Sequence, residues 1–356
     1  MPEFDTTQVV RAELTCPLPH ATGDRILLAH GEGARLTRRL IREVLLNAFD
    51  NDFLRPLADG AVLPAPTGRL VMTTDSYVVS PLFFPGGDIG KLAVHGTIND
   101  LAVCGAEPKY LSIALIVEEG LRLDTMKQVV ASIRDAAQAC RVQVVTGDTK
   151  VVPRGTADGL FVNATGIGEL RSEIDLGTHR VRPGDRVLVS GMIGDHGIAV
   201  LAAREGLELE SSLHSDTAPI HDLVRSLLDF DVEVHMLRDP TRGGVSAVLH
   251  EVADATKLSV VLDEKSIPVR EPVRGICEIL GLDPLYVANE GKCVALVAAH
   301  DAERALGCFR RHPLGTDAAI IGEVTSATPP LVLVRGLLGI DRILDEPNGA
   351  PLPRIC

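Results

Sequence analysis

Five aspartates stand beside small residues where a predicted strand or helix gives way to a loop. They are Asp59 in ADGAVL, Asp75 in TTDSY, Asp100 in TINDLAV, Asp148 in TGDTK and Asp239 in RDPTRGG. Carboxylate oxygens are ligands that Mg²⁺ prefers, and bound Mg²⁺ usually bridges to phosphate groups. One such aspartate alone would more often cap a helix or close a turn. Five together favour a site for magnesium and a triphosphate.

Glycines and basic residues accompany these aspartates along the chain. Gly147, Gly243 and Gly244 would allow backbone N–H groups to approach a phosphate closely. Four basic residues follow the same loops and could neutralise phosphate charge: Lys91, Lys150, Arg242 and Lys292. For Lys91, which lies in a predicted helix, a solvated surface charge is an equal alternative. We predict nucleotide contacts for Lys91, Gly147, Arg242 and Gly243.

Acid and base chemistry is indicated by the stretch NEGK, residues 289–292. It places Glu290 and Lys292 close together just before a predicted buried strand. That position is typical of site residues, and a turn with a surface ion pair would have the same sequence. His95 and His196 could contact a ligand, although a hydrogen-bonded structural histidine is the more common outcome. The pattern leaves these alternatives open.

The chain ends PLPRIC, with a thiol on its last residue, Cys356. From Asp345 onward, twelve residues carry three prolines and no helix or strand periodicity, so we expect a flexible tail over 345–356. Extended, this tail would span about 40 Å. It could therefore bring the thiol into a cleft of its own chain or of a partner. A frayed terminus that happens to end in cysteine is the alternative.

Composition argues against several classes of function. A net charge of −13 and only 3% aromatic residues disfavour nucleic acid, which is bound through clustered basic residues and stacking aromatics. Seven cysteines are scattered without a Cys-x-x-Cys pair, which favours neither a disulfide framework nor a zinc site. No apolar segment resembles a membrane span or a signal peptide. We expect a cytoplasmic protein with no membrane association.

The predicted elements that position these residues are a mixture of helices and strands. Strands are predicted at 25–30, 70–79 and 110–117, and a helix at 88–106 carries Lys91 and Asp100. A second series of strands and helices follows a polar, turn-rich stretch at 171–185. With 356 residues, an α+β fold of two domains is expected. The predicted limits are 1–172 and 173–344 for the domains and 345–356 for the tail.

These motifs together resemble the HypE family of hydrogenase maturation factors, carbamoyl dehydratases within the aminoimidazole ribonucleotide synthetase-like superfamily. The similarity covers nearly the whole chain and includes AHGEGARLTRRLI, ADGAVL, TTDSYVVSPLFFPGGDIGKLAVHGTINDLAVCGA, TGDTKVV, SGMIGDHGIAVL, RDPTRGGV, NEG and PRIC. The terminal PRIC separates this family from its superfamily relatives. One departure is that Glu32 and Ala34 stand where many relatives have glycine.

The resemblance implies a fold, an activity and partners. The N-terminal mixed sheet would form a barrel across a homodimer, and the C-terminal domain would be an α/β sandwich. A partner carbamoyltransferase, HypF, would carbamoylate Cys356. ATP-dependent removal of water from this thiocarboxamide would give a thiocyanate, whose cyano group passes to iron on the HypC–HypD complex for [NiFe]-hydrogenase. The cofactors implied are ATP and Mg²⁺.

The resemblance also assigns roles to individual residues. The magnesium and phosphate ligands would be Asp59, Asp75, Asp100 and Asp239. Asp148 would lie close to the nucleotide, together with Asp75 and Asp100. Glu290 and Lys150 match the proton-handling pair of the family, with Glu290 as general base and Cys356 as carrier of the reacting group.

Two alternatives belong to other classes of function. Another ATP-using member of the superfamily, such as selenophosphate synthetase or a small-molecule kinase, is the nearest. The former normally has cysteine or selenocysteine in its N-terminal glycine loop, and HGEGA at 30–34 has neither. A kinase would have no use for PRIC. A non-catalytic scaffold that only presents its tail would not need the aspartate set.

Overall fold

The computed structural model describes residues 23–170, 174–207, 213–346, 349 and 352–356. The predicted strand at 25–30 is wrong. Only Arg25 forms an isolated bridge, with Arg122, and Leu28–Gly31 is a 3₁₀ turn. The Leu27 N–H donates to the His30 ring at 3.0 Å, a local side-chain bond that competes with strand pairing.

A four-stranded sheet forms the centre of the N-terminal half. Its strands are β1 (Leu70–Tyr77), β4 (Ala106–Glu118), β5 (Gln143–Val152) and β6 (Leu160–Leu170), in the order β1-β6-β4-β5. Strands β4 and β5 are parallel and the other pairs are antiparallel. A short hairpin, β2 (Phe83–Phe84) with β3 (Gly87–Asp88), precedes the helix that carries two of the predicted site residues.

Helices cover one face of this sheet. They are α3 (Ile89–Val103) and α4 (Leu123–Ala139), which bury apolar side chains against the strands. The Asp88 carboxylate begins α3 by accepting bonds from the N–H groups of Gly90 and Lys91, at 2.8 and 3.0 Å. Before the sheet lie α1 (Arg35–Leu40), a π-helical segment (Ile41–Leu46) and α2 (Asn47–Phe49).

The opposite face of the sheet is open and partly apolar. Leu70, Met72 and Ile116 lie on it with 55%, 69% and 39% of their surfaces exposed. Side chains alternate along a strand, and directly paired residues share a face. Because Lys150 pairs with Ile116, Lys150 also lies on this face. We call it the open sheet face.

A seven-stranded sheet forms the C-terminal half, in the order β13-β12-β9-β11-β7-β10-β8. Its strands are β7 (Arg186–Val189), β8 (Val234–Arg238), β9 (Ser259–Asp263), β10 (Val294–Val297), β11 (Ala319–Thr325), β12 (Val332–Arg335) and β13 (Asp341–Ile343). The pair β9 and β12 is parallel and the other pairs are antiparallel.

Helices pack on both faces of this second sheet. They are α6 (His221–Leu228), α7 (Gly244–Thr256) and α9 (Ala302–Arg311), while α5 (Asp195–Glu205) and α8 (Glu271–Leu280) pack against each other. Alternate residues of β7 face opposite cores: Val187 packs with α7, and Leu188 packs with α6 and α9. This half is therefore an α/β sandwich. Within the described residues, every helix is too short or too polar to span a lipid bilayer.

Candidate functional site

Three predicted aspartates from different elements converge between the two halves. Asp75 lies on β1, Asp100 on α3 and Asp239 just after β8. The Thr73 hydroxyl donates to Asp100 at 2.6 Å, and Asp75 is a hydrogen-bond partner of Asp100. We call Asp75, Asp100 and Asp239 the acidic cluster. Asp100 and Asp239 line a cavity of about 280 Å³ together with Arg238 and Arg242.

Negative charge accumulates in the acidic cluster, and nearby Arg238 offsets only part of it. Burial, followed by the charge of Asp75, raises the pKa of Asp100 to about 6, although the Thr73 bond opposes this rise. Burial, followed by the charge of Asp100, raises the pKa of Asp239 to about 7. Since burial and mutual repulsion both favour the protonated forms, a bound cation would relieve them. The donor set therefore fits Mg²⁺.

Ligand geometry for a metal is not complete within one chain. Among the described residues, no group of three His, Cys, Asp or Glu side chains is arranged to hold a metal ion. Asp59 is exposed, and Ala58 and Gly60 on either side of it line a different cavity. The chain thus brings together Asp75, Asp100 and Asp239 but not Asp59.

Glu290 lies beside the acidic cluster with only 3% of its surface exposed. Its backbone N–H donates to Asp216 at 3.0 Å, and its Oε1 has no hydrogen-bond partner in the described part of the chain. Burial, followed by the charges of Asp239 and Asp216, raises the pKa of Glu290 well above its usual range. These surroundings therefore favour the protonated form of Glu290.

The residue before Glu290 fixes the backbone of the loop. The Asn289 side chain accepts from the Gly194 N–H at 2.7 Å and donates to the carbonyls of Pro240 and Val287, each at 3.0 Å. These bonds satisfy the amide fully in a buried position. They tie the loop to the start of α5 and to the residue after Asp239.

Lys292 does not form the surface ion pair that the NEGK pattern allowed. Lys292 is buried, and its Nζ lies 3.3 Å from Asp216 Oδ2, which is also buried. Because Asp216 also accepts the Glu290 N–H, this buried pair supports the backbone of the predicted base. A Cβ at position 291 would collide with the Asp216 carbonyl. Only glycine therefore fits between Glu290 and Lys292.

The last residues of the tail are docked against this site. They belong to the segment that the sequence predicts to be flexible, and the docked state is one position of that segment. The Val78 N–H donates to a main-chain oxygen of Cys356 at 3.2 Å, and the Ser80 N–H donates to the Arg354 carbonyl at 3.4 Å. Ile355 is 4% exposed and joins the core that contains Val200. The last residues thus extend the end of β1 and anchor one apolar side chain.

Docking brings the Cys356 thiol within hydrogen-bond range of the Glu290 carboxyl. Burial, followed by the charge of Glu290, raises the pKa of Cys356 far above its usual value, and nearby Arg242 opposes this rise. The predicted carrier and the predicted base are therefore in contact. The thiol itself is held protonated, which makes it a poor nucleophile while it is docked.

Helix α5 holds the main chain of the tail. The Arg204 guanidinium donates to the carbonyls of Ser80 at 2.9 Å and Pro353 at 2.7 Å, and also to that of Arg354. His196 Nε2 lies 2.9 Å from the Ile355 carbonyl. A carbonyl only accepts, so His196 carries its proton on Nε2.

A separate cavity of about 460 Å³ lies at the β5 edge of the first sheet. Predicted residues Gly147 and Asp148 line it together with Gly60, Arg38 and Arg42, and its wall includes Leu45, Phe49 and Phe53. We call it the sheet-edge cavity. It combines an apolar wall with two arginines and a glycine-containing strand, as expected of a site for a nucleotide.

The other predicted residues occupy several positions. Arg242 is exposed beside the acidic cluster, and Gly243 precedes α7 with a φ of +79°. Lys91 donates to the Gly86 carbonyl at 3.1 Å and lines another cavity together with Lys292. Lys150 lies on the open sheet face, and the sheet separates it from Glu290 within one chain. The chain therefore does not bring Lys91 or Lys150 to the acidic cluster.

Two residues of this site were not predicted from the sequence, and a third was given another role. Asp216 in HSDTAP stands among small polar residues like the five predicted aspartates, and that signal could have identified it. Arg204 has no local signal. His196 was considered as a ligand contact, and it binds the chain's own tail.

Comparison with known proteins gives the family. The models for AIR synthase related proteins match at residues 57–170 for the N-terminal domain and 182–330 for the C-terminal domain. Carbamoyl dehydratase HypE of Cupriavidus necator is 49% identical over 333 residues, 93% of this chain and 95% of the relative. Its name agrees with the predicted family, which is confirmed.

Two solved structures are similar over most of the chain. Hydrogenase maturation protein HypE in complex with ATP has a TM-score of 0.89 at 47% identity, covering 93% of this chain and 99% of that chain. A HypE–HypF complex has a TM-score of 0.76 at 45% identity, covering 86% and 99%. The predicted two-domain α+β fold is confirmed, while the barrel across a dimer stays a prediction. The chain belongs to the HypE family of AIR synthase related proteins.

Proposed function

We propose that this protein removes water, at the expense of ATP, from a carbamoyl group carried on the sulfur of Cys356, leaving a thiocyanate. The observation that carries this proposal is the docked tail, which places the Cys356 thiol against Glu290 and beside the acidic cluster. The relative that is 49% identical is named for this activity. A superfamily kinase or selenophosphate synthetase would have no use for this placement of the terminal sulfur.

The reaction needs the carbamoyl oxygen to be converted into a leaving group. An amide oxygen leaves poorly, so it first attacks the γ-phosphorus of ATP and displaces ADP. The C–O bond then breaks, phosphate departs with the oxygen, and the two N–H protons are lost as the nitrile forms. The docked tail holds the oxygen for the transfer, which favours an intramolecular step.

Glu290 is the proposed acceptor of an N–H proton. It lies next to Cys356 and is shielded from solvent; burial raises its pKa, and only its ionised form can accept the proton. Mg²⁺ entering with the triphosphate would be held by Asp75, Asp100 and Asp239, where it would supply positive charge that favours ionised carboxylates. Asp59 stays a proposed ligand from the loop beside the sheet-edge cavity.

ATP is proposed to bind with its adenine end at the sheet-edge cavity and its phosphate end at the acidic cluster, by a path outside the helix-covered face, where Ala164 and Ile113 are buried. Asp75 pairs with Ala164, Ala164 with Ile113, and Ile113 with Gly147. These three steps across the sheet amount to roughly 14 Å. The adenine would lie in the sheet-edge cavity beside Gly147 and Asp148, and the γ-phosphate would reach Arg242 and Gly243.

A homodimer is proposed because the open sheet face exposes Leu70, Met72 and Ile116. A second copy packed there would bury these side chains and close the barrel that the family resemblance implies. Lys150 lies on that face, so its proposed pairing with Glu290 would form across the dimer. Heterodimers of Lys150→Ala and Glu290→Gln chains, in which one of the two sites is intact, would recover about half the wild-type activity.

The partners proposed are HypF and the HypC–HypD complex. A relative has been solved as a HypE–HypF complex, and a carbamoyl donor must reach a thiolate. The docked thiol is held protonated, so carbamoylation would take place on an undocked tail. HypC–HypD would receive the cyano group. We propose the cytoplasm as the location, because the cysteines of the described residues are free.

Intact mass spectrometry tests the proposed activity. Carbamoylated protein incubated with Mg-ATP is expected to lose one water at the C-terminal peptide, and no loss is expected without ATP. Glu290→Gln should lower the rate by about 10²- to 10⁴-fold, while Glu303→Gln, an exposed change on α9, should leave it unchanged. ATP consumption without any mass change at Cys356 would refute the proposal.

A further inference from the structure

One face of helix α5 lies against the tail and carries three side chains in a row. His196, Val200 and Arg204 are spaced four residues apart, so they lie one above another on the helix. Val200 is fully buried and belongs to the same core as Ile355. His196 and Arg204, on either side of it, bind carbonyls of the tail. The helix face therefore combines one buried apolar residue with two polar contacts to the tail.

The polar contacts are to backbone atoms of the tail. Arg204 binds the carbonyls of Pro353 and Arg354, and His196 binds the carbonyl of Ile355. These are the three consecutive residues that precede Cys356. A contact made to the main chain does not depend on the group carried by the terminal sulfur. The same face can hold a thiol, a carbamoyl thioester or a thiocyanate.

Both polar side chains are held by other groups independently of the tail. Arg204 donates to the Ser80 carbonyl at 2.9 Å. The Thr217 N–H donates to the Ser215 hydroxyl at 3.1 Å, and that hydroxyl lies 2.8 Å from His196 Nδ1. The hydroxyl therefore donates to Nδ1, which leaves the Nε2 proton for the tail. Side chains fixed in advance lose little entropy when the tail arrives.

We propose that the face of α5 formed by His196, Val200 and Arg204 is a tail latch, which recognises the main chain of residues 353–355 and thereby fixes the position of any group on Cys356. Arg204 and His196 are positioning residues, since they touch the tail and not the reacting atoms. Their effect on tail docking is independent of the proposed dehydration, and their effect on that reaction rests on the proposed function.

Alkylation of Cys356 measures docking alone. N-ethylmaleimide modifies the Cys356 thiol only while the tail is undocked. Mass analysis of the C-terminal peptide separates the modification of Cys356 from that of the other cysteines. Arg204→Ala should raise the rate about tenfold, equivalent to about 1.4 kcal/mol. Arg204→Lys should give an intermediate rate, because an ammonium cannot span three carbonyls as a guanidinium does. Arg134→Ala, at an exposed arginine paired with Asp135 on α4, is the matched control.

A change of register tests the latch without altering α5. An alanine inserted between Ile355 and Cys356 leaves residues 353–355 on the latch but moves the sulfur, and it should slow dehydration at least about 100-fold. The KM for ATP should not change. An alanine inserted after Gly349 lengthens the tail without changing the last residues, and its rate should stay within about threefold of wild type.

The outcomes decide the latch and the proposed function separately. Equal alkylation rates in wild type and Arg204→Ala would overturn the latch, as would equal dehydration rates in the two insertion variants. If no protein dehydrates a carbamoylated tail, the proposed function fails, and the alkylation rates still decide whether the latch exists. If Arg204→Ala weakens ATP binding as well, its effect is structural, and the insertion pair then decides.

Discussion

Replacing Asp239 by asparagine should stabilise the ligand-free protein at alkaline pH. The substitution keeps the shape of the side chain and removes one negative charge from the acidic cluster. The pKa of Asp239 rises from 3.8 to about 7 on folding, through burial and the charge of Asp100. Each unit of difference between the two pKa values corresponds to about 1.4 kcal/mol of lost stability when the carboxyl is ionised. The whole difference therefore destabilises the folded protein by at most about 4 kcal/mol.

About half of that figure is a realistic gain. Asp239 is only partly buried, and the repulsion that it relieves is shared with Asp100, which keeps its own charge. We expect about 2 kcal/mol, which corresponds to a rise in Tm of about 4 to 8 °C for a domain of this size.

The sign of the effect depends on pH in a defined window. Because the folded protein holds the Asp239 proton more tightly than the unfolded chain, the free energy of unfolding falls as pH rises from about 4 to about 7. The stabilising effect of Asp239→Asn should therefore be near zero at pH 4, grow through this window and reach its full size by pH 8. Proteins that keep repelling charges together at a ligand site commonly lose stability in exchange for function.

Thermal unfolding in EDTA at pH 4.5 and pH 8 measures both the size and the pH dependence. Asp254→Asn is the matched control on α7, since Asp254 is exposed and, among the described residues, pairs with Lys257 at the helix end. An Asp239→Asn protein with the same or a lower Tm than wild type at pH 8 would refute the reasoning. An equal gain at both pH values would also refute it, because the gain would then not arise from ionisation.

Three further predictions concern the acidic cluster and its supporting loop. Binding of Mg-ATP at pH 6.5 should release protons from Asp100 and Asp239, because their pKa values are raised to about 6 and about 7. Calorimetry in two buffers of different ionisation enthalpy measures this proton release. Identical binding heats in the two buffers would contradict the prediction. Lys292→Met should lower the unfolding free energy by about 3 to 5 kcal/mol, because it leaves Asp216 buried without its partner; the double variant with Asp216→Asn should recover most of this loss in urea titrations. Gly291→Ala should lower the dehydration rate through displacement of the loop, and an unchanged rate would show that the Asp216 carbonyl can move.

The acidic cluster could be predicted from the sequence because each of its aspartates stands next to small residues at the end of an element. The same pattern also selects Asp59 and Asp148, which lie at or beside the sheet-edge cavity, so it indicates candidate residues but not which of them converge. The role of Arg204 could not be predicted, since its partners lie in the segment after β1 and on the tail, far away in the chain. The partner of Lys292 was missed for the same reason. The wrong strand at 25–30 has the opposite cause, because a short-range bond to His30 outweighed strand propensity.

The chemistry of Cys356 imposes an order on the events at the tail. Carbamoylation requires a thiolate, and the docked thiol is held protonated by burial and by Glu290. A carbamoylated sulfur has no proton to lose, so the same surroundings carry no penalty for it. Because the contacts of α5 are to the backbone, docking tolerates both states of the sulfur, and only the undocked thiol reacts with a donor. The latch and the suppressed thiol together therefore make modification the step that precedes productive docking.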